Sequence, residues 1–135
     1  GGVMVGRWLP DTSALLALGN NEDGAERVAE LLLLGHTAKG RCFVCFMSRM
    51  EGHNKLEDED ERTARLADAQ LQALPIHWVA ASVPLLEKAT ALKACHPLSV
   101  ADAWIAAAAH LEAAVLVHKD PEFGAISALP QEWLG

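Results

Sequence analysis

Short apolar segments alternate with helical segments along this chain, and the alternation limits the folds that are open to it. The expected strands cover residues 3–9, 41–47, 76–80 and 115–118, and residues 132–134 are a candidate stub of a fifth. Strands that are separated by helices join in parallel, and strands that are apolar throughout are covered on both faces. We therefore predict an α/β fold: a three-layer α/β/α sandwich around a parallel sheet of four to five strands.

Capping residues and helical spacing define the segments between the strands. Ser82 and Ser99 are expected N-caps, Asn20 and Asn21 offer another, and Gly35 is a stop signal. The expected helices cover residues 12–18, 22–34, 48–56, a segment after the acidic run 57–61, 82–94 and 99–113.

The length of 135 residues predicts a single domain over residues 1–135, with Gly1 and Gly2 as an added remnant before a start at Val3 or Met4. No apolar stretch approaches the ~20 residues of a membrane span, and the signal-peptide pattern is absent. We therefore expect a cytoplasmic protein with no membrane partner.

The acidic charge balance limits how this chain could contact nucleic acid. A net charge of -7 argues against binding by bulk attraction to phosphates. It does not exclude a nuclease, because bound divalent metal ions invert the local potential.

Three cysteines leave a zinc site as one alternative. Cys42 and Cys45 have the C-x-x-C spacing of such sites, and Cys95 and His96 would complete the ligand set. Residues three apart on a strand point to opposite faces, however, so one metal would not readily bind both sulfurs. Free, buried thiols are the favoured interpretation.

Four acids that are far apart in sequence lie at predicted junctions of strands and helices: Asp11, Glu51, Asp102 and Asp120. Sites in open parallel sheets form beyond the carboxyl ends of the strands, so these side chains could face one crevice. Isolated acids in apolar surroundings are costly unless a partner offsets them, and a hard cation is the usual partner. The pattern indicates a metal-dependent enzyme with oxygen ligands that suit Mg²⁺ or Mn²⁺.

Helix capping explains the same acids without a metal. Ser48 with Glu51, and Ser99 with Asp102, have the spacing of capping boxes. Asp11 could cap the first helix, and Asp120 could be a turn residue before a proline. Both interpretations stay open on this evidence.

The segments around these acids resemble the PIN-domain family, and most of all the VapC-type ribonuclease toxins of type II toxin–antitoxin pairs. The resemblance covers nearly the whole chain. It rests on DTSALLAL from Asp11, on SRMEGHNKL around Glu51, and on SVADAWIAA around Asp102 followed by LVHKDPEF around Asp120.

The resemblance implies both a site and an activity. By this likeness Asp11, Glu51, Asp102 and Asp120 are the catalytic, metal-binding acids, Glu122 is an outer ligand, and Thr12 and Ser13 are supporting hydroxyls. It implies an Mg²⁺- or Mn²⁺-dependent endoribonuclease that hydrolyses RNA phosphodiester bonds with an activated water. A cognate antitoxin and a homodimer are the implied partners.

Two other functions compete with the toxin. One is a housekeeping PIN nuclease in RNA processing or decay, and the other is a non-catalytic interaction module whose acids only cap helices. Arg49 and Lys119 are either contacts for RNA phosphates or solvated cations. The six histidines are expected to be packed or surface residues.

Overall fold

Five strands form one parallel sheet in this computed structural model. The structure describes residues 6–37, 40–57 and 61–135, with the side chains of residues 53–57, 63 and 64 left aside. The strands are β1 (Gly6–Pro10), β2 (Gly40–Cys45), β3 (His77–Val79), β4 (Val115–His118) and β5 (Gln131–Trp133). Their order is β3-β2-β1-β4-β5, and each neighbouring pair is parallel. The predicted parallel sheet is confirmed, and the fifth strand forms.

Six α-helices and one 3₁₀ helix connect the described strands. They are α1 (Thr12–Gly19), α2 (Ala25–Gly35), α3 (Phe46–Glu57), α4 (Glu61–Gln72), α5 (Val83–Cys95), α6 (Val100–Leu111) and the 3₁₀ helix Pro121–Ala125. Ser82 and Ser99 are the N-caps of α5 and α6, as predicted, because each hydroxyl accepts a backbone N–H from the first turn. None of these helices is long and apolar enough to cross a bilayer.

Two predicted helix starts are wrong. The second helix begins at Ala25, not at residue 22, because Gly24 in the left-handed region (φ 96°) is its N-cap. Asn20, one of the two predicted N-caps, instead caps the end of α1. Asn21, the other, has a positive φ of 53° and lies in the turn before Gly24.

The third helix begins at Phe46, so the second strand ends two residues before its predicted limit at residue 47. Ser48 therefore lies inside α3 and is not its N-cap, which removes the predicted capping box with Glu51. The end of α6 also differs by two residues, since the helix ends at Leu111 where residue 113 was expected. The predicted start of β1, at residues 3–5, lies outside the described residues.

Separate hydrophobic cores cover the two faces of the sheet, as the three-layer prediction requires. One core joins α5 and α6 to the sheet, and its most buried members include Leu85, Ile105 and Leu116. The other joins α1 and α2 through residues such as Ala14 and Leu31.

The two cysteines of β2 lie on opposite faces of the sheet. Cys42 lies in the core with α1 and α2, whereas Cys45 lies in the core with α5 and α6. Both thiols are free and buried, while Cys95 is exposed. Burial raises the pKa of Cys42 to about 12 and that of Cys45 to about 11. Neutral thiols on opposite faces agree with the core interpretation and do not form a zinc site.

The strand order creates a crevice between β1 and β4. From β1 the chain adds β2 and β3 on one side, and later adds β4 and β5 on the other. Connections that diverge from neighbouring parallel strands leave a gap beyond their carboxyl ends, where ligands commonly bind. Asp11 follows β1 directly, and its N–H donates to the Val117 carbonyl of β4 at 2.9 Å. The sheet therefore places the end of each strand beside the other.

Candidate metal centre

Asp102 is a buried acid in the first turn of α6. The Ser99 hydroxyl accepts the Asp102 N–H at 3.1 Å, which fixes the first turn of the helix. The side chain is only 7% exposed. It does not lie alone, because α6 runs back from the carboxyl edge of the sheet and begins beside the segment that follows β4.

Three carboxylates meet at this point. Each of Asp102, Asp120 and Glu122 offers an oxygen, and these oxygens lie within 4.8 Å of one another. Asp120 is the N-cap of the 3₁₀ helix, and its Oδ1 accepts the Glu122 N–H at 2.9 Å. The donors are all hard oxygens, and the cluster grades from buried to exposed, so a cation could bind with some of its waters retained. The residues present fit Mg²⁺ or Mn²⁺.

The raised pKa of Asp102 also favours a cation at this place. Burial, followed by the neighbouring Asp120 and Glu122 and by the charge of Glu51, raises its pKa to about 8. Carboxylates that crowd one another cannot all ionise cheaply without a counter-charge. A divalent cation would supply that charge and keep the three groups ionised.

Asp11 approaches the same place from β1, and it is only 2% exposed. It caps α1: its Oδ1 accepts the Ala14 N–H at 2.9 Å and the Ser13 hydroxyl at 2.7 Å. Burial raises its pKa, the bonds from Ser13 and Ala14 lower it, and the Asp120 charge raises it further. Asp11 is therefore both a helix cap and an electrostatic neighbour of the carboxylate group.

Ser13 of α1 connects the residues that follow β1 and β4 at the crevice. Its hydroxyl donates to Asp11 and accepts the Lys119 N–H of the segment after β4 at 3.0 Å. The Thr12 hydroxyl points elsewhere and donates to the buried Ser48 hydroxyl of α3 at 3.0 Å. Of the two predicted supporting hydroxyls, Ser13 contacts a predicted ligand, and Thr12 joins α1 to α3.

Glu51 lies in the second turn of α3 and is partly exposed. It lies outside the group of three, but its charge raises the pKa of Asp102. The described residues thus bring Asp102, Asp120 and Glu122 together, with Asp11 and Glu51 nearby. Glu122, expected as an outer ligand, belongs to the same group of oxygens within 4.8 Å as Asp102 and Asp120.

Sequence reasoning gave no role to two residues beside these acids. His118, at the end of β4, is only 2% exposed and accepts the Asp120 N–H, while Gln131 of β5 contacts the other side of its ring. A histidine two residues before Asp120 was a usable signal for the first. No local pattern marks Gln131, since β5 meets β4 only in the folded sheet.

The two cations considered for RNA phosphates have protein partners. Arg49 forms a bidentate ion pair with Asp68 of α4 at 3.0 and 3.2 Å. Lys119 Nζ donates to the Asp23 carbonyl at 3.0 Å and lies 3.7 Å from the Glu22 carboxylate. Both cations therefore have a structural role within the chain.

Comparison with known proteins assigns the family. The profile of the PIN domain matches residues 8–129, which span the crevice, the carboxylate group and most of the sheet. This chain belongs to the PIN domain family. Among curated proteins, none matches it significantly.

Solved structures with this fold include toxin–antitoxin proteins. VapBC2 from Rickettsia felis, bound to a DNA fragment from its promoter, is 14% identical over 93% of this chain and 97% of that chain, with a TM-score of 0.76. DNA-bound VapBC from Salmonella typhimurium is 18% identical over 98% and 100%, with a TM-score of 0.74. VapC20 of Mycobacterium tuberculosis, a sarcin–ricin loop cleaving toxin, is 20% identical over 88% and 94%, with a TM-score of 0.68.

Proposed function

We propose that this protein is a metal-dependent endoribonuclease that acts as the toxin of a toxin–antitoxin pair. The observation that carries the proposal is the meeting of Asp102, Asp120 and Glu122, whose oxygens lie within 4.8 Å at the edge of the crevice. Membership of the PIN domain family supports nuclease chemistry, and the fold shared with VapC20 supports RNA as the substrate class.

The roles of the acids follow from their positions. Asp102 and Asp120 would bind the cation directly, with Glu122 on the exposed side and with Asp11 and Glu51 adding negative charge around it. Bound Mg²⁺ or Mn²⁺ would lower the pKa of a coordinated water and offset charge on the scissile phosphate. It would also give this acidic surface a local site that attracts RNA.

A non-catalytic interaction module is the second candidate, because Asp11 and Asp120 do cap helices. Capping does not account for Asp102, whose carboxylate lies with two other acids. A buried acid with a raised pKa and no cation lowers stability, so this arrangement favours the enzyme.

Calorimetric titration with Mn²⁺ separates the two candidates. Asp102→Asn is expected to abolish measurable binding and cleavage of structured RNA while the protein stays folded. Asp23→Asn makes the same change of charge at an exposed site outside the cluster and should leave both activities intact. Absence of Mn²⁺ binding by a folded wild-type protein would contradict the enzymatic proposal.

The proposal extends to an antitoxin and to a second copy of the chain, with the activity in the cytoplasm. VapBC complexes among the structural neighbours support the antitoxin. Exposed apolar side chains on α5 and α6 support self-association: Val83 (67%), Leu86 (49%) and Val100 (59%).

A toxin should arrest growth when expressed alone, and a small neighbouring reading frame should relieve the arrest. A housekeeping nuclease would need no such partner.

A further inference from the structure

The imidazole of His118 makes a hydrogen bond on each side. Its Nδ1 lies 3.2 Å from the Asp120 N–H, and its Nε2 lies 2.8 Å from Oε1 of Gln131. A backbone N–H can only donate, so Nδ1 must be the unprotonated acceptor. The ring proton of a neutral imidazole is then on Nε2, where it is donated to Gln131.

Gln131 has its orientation set independently. Its amide nitrogen donates to two backbone carbonyls, Phe123 at 2.8 Å and Ile126 at 2.9 Å. Its oxygen is therefore turned toward His118, where only a donor satisfies it. The carbonyls of Phe123, in the 3₁₀ helix, and of Ile126, at its end, thus select the tautomer of the His118 ring in β4.

Packing fixes the plane of the same ring. Phe123 and Trp133 contact it edge-on, with centroid distances of 5.0 and 5.4 Å. Strand β4, strand β5 and the 3₁₀ helix therefore all determine where Nδ1 points.

The Asp120 amide is the point at which this network meets the carboxylate group. Its N–H donates to the ring, while its Oδ1 accepts the Glu122 N–H two residues on. A shift of this amide would therefore displace two of the three clustered oxygens together.

We propose that His118, with its tautomer set by Gln131, is a positioning residue that holds Asp120 and Glu122 in place for the cation. This inference rests on the proposed metal site and names a new supporting pair for it. Supporting contacts of this kind typically change metal affinity by about 10- to 100-fold when they are removed.

Two near-isosteric variants separate the two sides of the ring. His118→Asn places an oxygen acceptor where Nδ1 lies, whereas His118→Gln places an amide donor where Nε2 lies. In Mn²⁺ calorimetry we expect His118→Asn to stay within about threefold of wild type and His118→Gln to bind at least about tenfold more weakly. Amide hydrogen exchange without metal should show Asp120 protected in the Asn variant and unprotected in the Gln variant.

The outcomes that overturn the inference are distinct from failure of the metal site. Equal affinities of the two folded variants, or a weaker Asn variant, would refute the positioning role while wild-type binding still supports the nuclease. A wild-type protein that binds no Mn²⁺ would refute both. If neither variant folds, ¹⁵N NMR of the wild-type imidazole decides, since a proton on Nδ1 contradicts the proposal.

Discussion

At the scale of single residues, Asp102 is held in a position that is unfavourable for a charged side chain. Its carboxylate is only 7% exposed and lies within reach of two further acids. An asparagine at this position would avoid the repulsion and keep a similar shape. We interpret the acid at this position as suited to binding a cation rather than to the stability of the protein without metal.

Stability without metal should fall as pH rises, because of Asp102. The pKa of an aspartate is ordinarily 3.8, and that of Asp102 in the folded protein is about 8. Between these two pH values the folded state therefore binds one more proton at this group than the unfolded state does. The free energy of unfolding therefore decreases with rising pH across this window. Thermal unfolding in chelator should show a steeper loss between pH 5 and 8, on the order of a few degrees, in wild type than in Asp102→Asn.

Metal provides the control for this pH effect. Excess Mn²⁺ at pH 8 should raise the melting temperature of wild type and leave Asp102→Asn unchanged, because a ligand stabilises only the state that binds it. Parallel pH profiles for the two proteins would show that Asp102 does not cause the loss.

At the scale of elements, the first turn of α6 connects helix capping to the site. Ser99 accepts the N–H of Asp102 itself, whereas Ser82 accepts the N–H of Leu85 at the start of α5, away from the acids. The two hydroxyls make the same kind of cap on helices of similar length. Substituting each serine in turn therefore distinguishes an effect on stability from an effect on the position of Asp102.

Ser99→Ala and Ser82→Ala should each lower the free energy of unfolding by about 1 kcal/mol, measured by urea denaturation. Only Ser99→Ala should also weaken Mn²⁺ binding, by about 3- to 10-fold, because the turn that carries Asp102 loses its anchor. Equal Mn²⁺ affinities in the two variants would mean that packing alone positions Asp102.

The errors at element limits have local causes. Phe46 and Met47 continue the apolar run of β2, and both pack against the same core from the helix, so hydrophobicity does not mark the change. Gly24 begins α2 without any side-chain cap, which a search for capping residues misses. Where a side chain does cap, as at Ser82 and Ser99, the predicted start is confirmed.

At the scale of the whole molecule, α6 is the buried centre of one layer. It contacts α5, α3 and strands β1, β2 and β4, and four consecutive alanines from Ala106 to Ala109 have no exposure. Small side chains allow this close approach on several sides of one helix. The position of Asp102 at the head of α6 thus depends on the packing of the whole layer.

Ala107→Leu should therefore overpack the core and lower the free energy of unfolding by about 1–3 kcal/mol in urea. Leu33→Ala, at a side chain that is 72% exposed, should change it by less than about 0.5 kcal/mol. A core that accepts leucine at position 107 without loss would contradict the close packing described for α6.

Local pattern was enough to predict the strands, most helix limits, the two serine caps and the parallel three-layer class, because these depend on residues near one another in the chain. It also singled out the acids and predicted that they could face one crevice, though not which of them meet. Only the tertiary structure decided that β4 lies beside β1, which brings Asp11 near Asp120. It also decided that α6 begins beside the segment after β4, which brings Asp102, Asp120 and Glu122 within 4.8 Å. The pairing of β4 with β5, on the other side of β4, places Gln131 against His118. Strand order is set by how whole faces are buried, and no short stretch of sequence contains that information.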